Sequence, residues 1–82
     1  MAKLLYFATL ADRLGRTAEE PELPPGVTDV RTLLAWLRSR GGTWESLLAD
    51  NAVRVTVNRQ FASLDTPLDN RHEIAILSGG RR

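Results

Sequence analysis

The sequence predicts an α+β domain, a mixed sheet of about five strands with one main helix packed across one face. Three observations lead there. Val30, Leu33, Leu34 and Leu37 recur at i, i+3, i+4 and i+7 and draw a single apolar helical stripe. Val53, Val55 and Val57 alternate with Arg54 and Thr56, as in a strand with one buried face. Apolar runs stand near both ends of the chain, Leu4-Leu5-Tyr6-Phe7-Ala8 and Ile74-Ala75-Ile76-Leu77, and both suit the interior of a sheet.

Taken in order, the first run lacks alternation, which suits a central strand buried on both faces. Gly15 marks a turn. Residues 18–23 are acidic and weakly patterned and read as an edge strand, stopped by Pro24-Pro25-Gly26. The main helix follows. Thr28 is placed to cap its first turn, and Asp29 sits where the helix dipole favours negative charge. Arg31, Arg38 and Arg40 fall away from the stripe or near its end, and Arg38 and Arg40 suit the negative pole. Gly41-Gly42 closes the helix, because glycine tolerates the left-handed conformation. Residues 43–49 form a short second helix with Leu47 and Leu48 turned inward. After the alternating valines, Asn58-Arg59-Gln60 reads as a turn, and Phe61 restarts an extended segment. Pro67 limits pairing around it, Asp69-Asn70-Arg71-His72 is a polar turn, and residues 73–77 make the last strand.

The order is thus strand, strand, helix, strand, short strand, strand. One helix cannot cover two faces, so it lies across one face of a mixed sheet. The first and last strands are the most apolar and should pair at its centre. That is the β-grasp, or ubiquitin-like, arrangement. It sends the C-terminus out directly from a central strand, giving a domain over residues 1–77 and a flexible tail over residues 78–82.

Bulk properties narrow the function classes. A chain of 82 residues leaves room for one domain and little spare volume for a deep catalytic cleft. Small size favours a carrier, a binding module or a subunit over an enzyme acting alone. The formal net charge of +1 gives no field that would draw nucleic acid or an acidic membrane. Arg38 with Arg40 and Arg81 with Arg82 read as solvated surface charge. Cysteine is absent, which removes disulfides, thiolate zinc sites and a cysteine nucleophile, and suits a cytoplasmic location. The apolar runs are too short to span a bilayer. The N-terminus could pass for a stunted signal peptide, but Asp12 and Arg13 cut its apolar stretch short, and a first strand is the better reading.

Few residues could carry chemistry. His72, the one histidine, stands in a polar turn with no second histidine near it in sequence, so neither a metal site nor a triad with Ser78 is supported. Asp65, Asp69 and Glu73 serve turns and strand ends better than acid–base work. Gly41-Gly42 lacks the strand, helix and lysine of a phosphate loop. No cofactor is implied. What remains is the tail. Gly79 and Gly80, after a buried strand, make a slim arm that can thread a narrow channel and present a backbone carboxyl to another protein's active site. A glycine carboxylate is unhindered, so it can be activated as an acyl-adenylate and take up sulfur as a thiocarboxylate. The plain alternative is a frayed end.

These residues resemble a family. Lys3-Leu4-Leu5-Tyr6-Phe7-Ala8, followed by Leu10 and Gly15, is similar to the opening of molybdopterin synthase small subunits (MoaD), within the MoaD–ThiS sulfur carriers. Val27-Thr28-Asp29-Val30 through Leu37 resembles the start of their helix. Val55-Thr56-Val57-Asn58-Arg59-Gln60-Phe61 resembles their strand and turn with its valine–asparagine signature. Leu68 followed by Glu73-Ile74-Ala75 resembles their closing leucine and last strand.

The resemblance implies a β-grasp carrier whose terminal glycine is adenylated by an ATP-dependent activating enzyme and converted to a thiocarboxylate. The carrier then delivers sulfur, in complex with the large subunit of molybdopterin synthase, during molybdenum cofactor biosynthesis. On this chain the carrier residue is Gly80, preceded by Gly79. Phe7, Phe61, Leu77 and Ser78 fall where the family meets its partners, although Phe7 could equally belong to the core. Three departures stand out. Arg81 and Arg82 follow Gly80, so trimming is expected before activation. Ser78 alone separates Leu77 from Gly79, so the arm is about three residues, or about 10 Å, shorter than the family's. Arg71 and His72 replace a glycine and an aspartate in a turn. Two rivals follow from the same residues: a thiamine-pathway sulfur carrier, and a β-grasp protein-binding module without carrier activity.

Overall fold

A computed structural model describes residues 2–50 and 52–78 of the chain. Its elements are β1 (Lys3–Tyr6), α1 (Thr9–Leu14), β2 (Ala18–Glu19), α2 (Val30–Arg38), α3 (Thr43–Leu47), β3 (Val53–Val57), β4 (Gln60–Phe61) and β5 (Glu73–Ser78). The five strands form one mixed sheet in the order β2-β1-β5-β3-β4. β1 and β5 pair in parallel at its centre, with Leu4 opposite Ile74 and Tyr6 opposite Ile76, and every other pairing is antiparallel. This is the expected α+β, β-grasp architecture, with the first and last strands side by side in the middle of the sheet.

α2 forms where the apolar stripe foretold it, and Val30, Leu33, Leu34 and Leu37 are all buried. They pack on Leu4, Tyr6, Val55, Ile74 and Ile76, side chains that alternate onto the covered face of the sheet. The cap differs from expectation. Asp29, not Thr28, is the N-cap: its carboxylate accepts from the Thr32 amide at 2.9 Å, and the Thr32 hydroxyl accepts from the Asp29 amide at 3.0 Å. Asp29 has the extended backbone a cap requires, and its acceptor reaches the third helical amide. Those bonds hold the half-buried Asp29 carboxyl below its ordinary range.

Three further expectations are corrected. β1 is not buried on both faces: Leu4 and Tyr6 are buried, Leu5 is half-buried, and Lys3 and the following Phe7 are exposed. The helices lie on one side only, so the other side of a central strand stays open. The second strand keeps two residues, Ala18 and Glu19, because beyond Glu19 the chain leaves the sheet toward Leu23, which is buried in the core. The segment after β1 holds a six-residue helix, α1, which ends on Gly15 at φ +79. Its one fully buried side chain, Leu10, leaves no repeating stripe to read.

Candidate docking face and tail root

Register places the side chains of the open face. Lys3 and Leu5 pair with Glu73 and Ala75 across β1 and β5. Leu77 and Ala75 pair with Arg54 and Thr56 across β5 and β3, and Thr56 pairs with Phe61 on β4. Partners in a ladder share a face. Leu5, Phe7, Ala75 and Leu77 therefore line one apolar depression, with Thr56, Arg59 and Glu73 at its border. Phe7 is 44% exposed and Phe61 71% exposed, so neither belongs to the core. Each leaves unrealised a part of the roughly 1.5–3 kcal/mol that full burial of such a side chain contributes. Phe7 lines this depression, whereas Phe61 lines a separate one with Arg54 and Ala62.

Local backbone fixes both aromatics. Phe7 is followed by Ala8 at φ +56, a conformation that L side chains rarely adopt, where the chain turns from β1 into α1. Phe61 follows a two-residue hairpin, Asn58-Arg59, with both residues at positive φ and Val57 paired to Gln60. Positive φ at both centres is the type I′ pattern, which suits asparagine at the first position and glycine at the second. Arginine takes the second here, and its guanidinium lies 3.6 Å from the Glu73 carboxylate on the border of the depression.

The last described strand ends at the rim of this face. β5 continues through Leu77 to Ser78, which pairs with Val53. The Ser78 and Thr9 hydroxyls stand 3.2 Å apart, so α1 touches the root of the tail. Leu77 is half-buried and Ser78 exposed. Gly79 and Gly80, with Arg81 and Arg82, lie outside the described residues. Phe7, Leu77 and Ser78 are brought together at one end of the sheet, while Phe61 stands two strands away on β4.

The remaining polar residues do structural work. The His72 ring nitrogen Nδ1 accepts from the Asp69 amide at 3.3 Å, inside the turn before β5. Asp65 pairs with Arg31 at 2.6 Å, tying the β4–β5 connection to α2. No group of acidic and histidine side chains able to hold a metal occurs among the described residues. No helix among them is long and apolar enough to cross a membrane.

Comparison with known proteins agrees with this arrangement. Residues 4–78 match the ThiS family. The chain belongs to that family. Several solved structures share the fold, among them the following three. One, assigned as molybdopterin converting factor subunit 1 from Pyrococcus furiosus, is 26% identical over 94% of each chain, with a TM-score of 0.75. SAMP1 from Haloferax volcanii is 21% identical over 95% of this chain and 93% of its own, with a TM-score of 0.76. The HVO 2177 protein from Haloferax volcanii is 17% identical over 94% of this chain and 80% of its own, with a TM-score of 0.77. No curated protein matches the sequence significantly.

Proposed function

We propose that this ThiS-family chain is a sulfur carrier, not an enzyme on its own, and that it works as the small subunit of molybdopterin synthase. The observation that carries the reading is the apolar open face running to the root of a Gly-Gly tail at the end of a central strand. A partner that covers Leu5, Phe7 and Leu77 draws the tail toward its own active site, and Phe61 supplies a second anchor. The likeness at 26% identity to a molybdopterin converting factor subunit favours the molybdopterin route over the thiamine route.

The proposed partners are an ATP-dependent activating enzyme and the large subunit. In the first, the Gly80 carboxylate attacks the α-phosphate of ATP and releases pyrophosphate. Sulfide then displaces AMP from the acyl-adenylate and leaves a thiocarboxylate. The long charged side chains of Arg81 and Arg82 would be costly to desolvate in a closed channel, so the reactive form is the one ending at Gly80.

The test mixes the full chain and the form ending at Gly80, separately, with an activating enzyme and ATP. Pyrophosphate exchange is followed, then the carrier mass after sulfide is added. The carrier reading expects exchange, and the oxygen-to-sulfur mass gain, from the form ending at Gly80 alone. Equal reaction of the full chain would remove the need for trimming. Failure of both forms with an enzyme proven on its usual carrier would leave the protein-binding module as the better reading.

A further inference from the structure

The arginines of this chain are mostly spoken for. Arg16, Arg31, Arg38, Arg40, Arg59 and Arg71 each meet a carboxylate. Among the described residues, Arg13 on α1 and Arg54 on β3 meet none. Arg54 is the one of these two that the sheet register sets on the open face, opposite Leu77. Its guanidinium carbon stands 5.9 Å from the centre of the Phe61 ring, so an exposed cation is held over an exposed aromatic.

That pairing is a preorganised recognition element. The ring limits where the guanidinium can go, which lowers the entropy lost when a partner meets it. The planar fork of N–H donors matches a carboxylate in two-point geometry. Aromatic and arginine side chains dominate the energetics of protein contacts. The charge around the site points the same way. Arg59, held at φ +72 in a turn position that favours glycine, adds a second cation at the border, and the one acid beside it, Glu73, is already engaged by Arg59. Arg59 and Glu73 thus offset each other, as do Arg38 and Asp50, the acid that lines the depression shared by Arg54 and Phe61, which leaves Arg54 as the cation there that meets no carboxylate.

We propose that Arg54 is a specificity-determining contact: it selects a partner protein that presents a carboxylate beside the apolar recess receiving Phe61. This rests on the docking role of the open face proposed above. A partner with a basic or purely apolar surface there would bury the guanidinium unpaired, which is strongly unfavourable.

The experiment titrates both the full-length chain and the form ending at Gly80 against the activating enzyme and the large subunit of the same organism, by calorimetry at low and at high salt. Wild type is compared with Arg54→Lys, Arg54→Gln, Arg54→Glu and Phe7→Ala. Arg54→Glu should weaken binding to at least one of the two partners by about tenfold or more, with Arg54→Gln intermediate. Arg54→Lys should lie nearest wild type, and the loss of affinity at high salt should shrink in Arg54→Gln. Reversing the facing carboxylate on that partner to lysine should restore binding of Arg54→Glu. Melting temperatures of all Arg54 variants should match wild type, since the side chain is exposed; Arg54→Lys keeps the comparison valid should Arg54→Glu fold poorly. If Phe7→Ala weakens binding while every Arg54 variant binds as wild type, the docking face stands and the carboxylate partner is wrong. If Phe7→Ala and Arg54→Glu both bind as wild type, or wild type binds neither partner, the docking role fails and this inference falls with it.

Discussion

Ala8 illustrates how much one residue can hold without announcing it. It stands at φ +56, ψ −132, nearly the conformation of Gly42 at φ +58, ψ −131. A Cβ is disfavoured there, at a cost of order 1–3 kcal/mol, and glycine relieves most of it while losing some entropy in the unfolded chain. Ala8→Gly should therefore raise the melting temperature, by a net of roughly 0.5–1 kcal/mol. Gly42→Ala should lower it by the same physics, although open space surrounds that position and no clash is involved. Thermal melts of the two variants check both signs. Leu34 is the opposite case, fully legible in the sequence. It sits mid-stripe, is completely buried, and touches no open surface. Leu34→Ala should cost roughly 2–5 kcal/mol, read as a fall in the denaturation midpoint. The exposure of Phe61 was also foreshadowed, through the family resemblance that sets it among the partner-facing positions. Ala8 was not, since backbone conformation at a single alanine leaves no mark on composition or periodicity.

At the scale of elements, the short strand β2 is pinned by a polar and aromatic cluster that sequence order scatters. The Tyr6 hydroxyl donates to Glu19 Oε2 at 2.6 Å, and the two terminal nitrogens of Arg40 donate to the same carboxylate at 2.9 and 3.0 Å. The Arg40 guanidinium also lies 4.4 Å from the Trp44 ring centre and 5.4 Å from that of Trp36. Arg40 was expected to serve the pole of α2. Instead it fastens α2 and α3 to the sheet edge, because a largely buried carboxylate is the stronger partner. Such a cluster joins three segments far apart in the chain, so no local pattern reveals it. Its charge balance sets an acid limit. Burial by itself would raise the Glu19 carboxyl, but Arg40 and Tyr6 outweigh it and hold the group below its ordinary value of 4.5. The folded chain then binds fewer protons at Glu19 than the unfolded chain. Its contribution is complete above about pH 4.5 and is lost as pH falls through the lower, folded value. Melting temperature should drop across that acid window. Arg40→Gln removes the main compensating partner, so it should lower the neutral-pH melting temperature and flatten the acid dependence. An acid profile as steep as wild type would show that Glu19 is not the group responsible.

The whole molecule is a two-sided sheet with one side covered. Binary pattern and element order made that architecture legible, and they also placed the tail at the end of a central strand. They could not show which apolar residues of β1 and β5 the helices would leave in the open, because a run without alternation reads as doubly buried. The sheet also decides how far the tail can reach. Ile76 is flanked on both sides, by Tyr6 on β1 and Val55 on β3, and its carbonyl accepts from the Phe7 amide at 3.3 Å. Beyond it, Leu77 and Ser78 pair only with Arg54 and Val53 on β3. Opening those last two residues breaks pairing on one side rather than two, and would return about 7 Å of arm toward the length the family resemblance implies. Amide hydrogen exchange should therefore fall into steps. Ile74 and Ile76 should exchange only by global unfolding, whereas Leu77 and Ser78 should exchange faster by roughly an order of magnitude or more, through local opening at the strand end. Partner binding over the open face should slow Ile74 and Ile76 only by the factor that binding adds to global stability, and should change Leu77 and Ser78 by a different factor. If Ser78 proves as protected as Ile76 both free and bound, the strand end does not open, and a partner would have to receive the short arm in a channel correspondingly shallow.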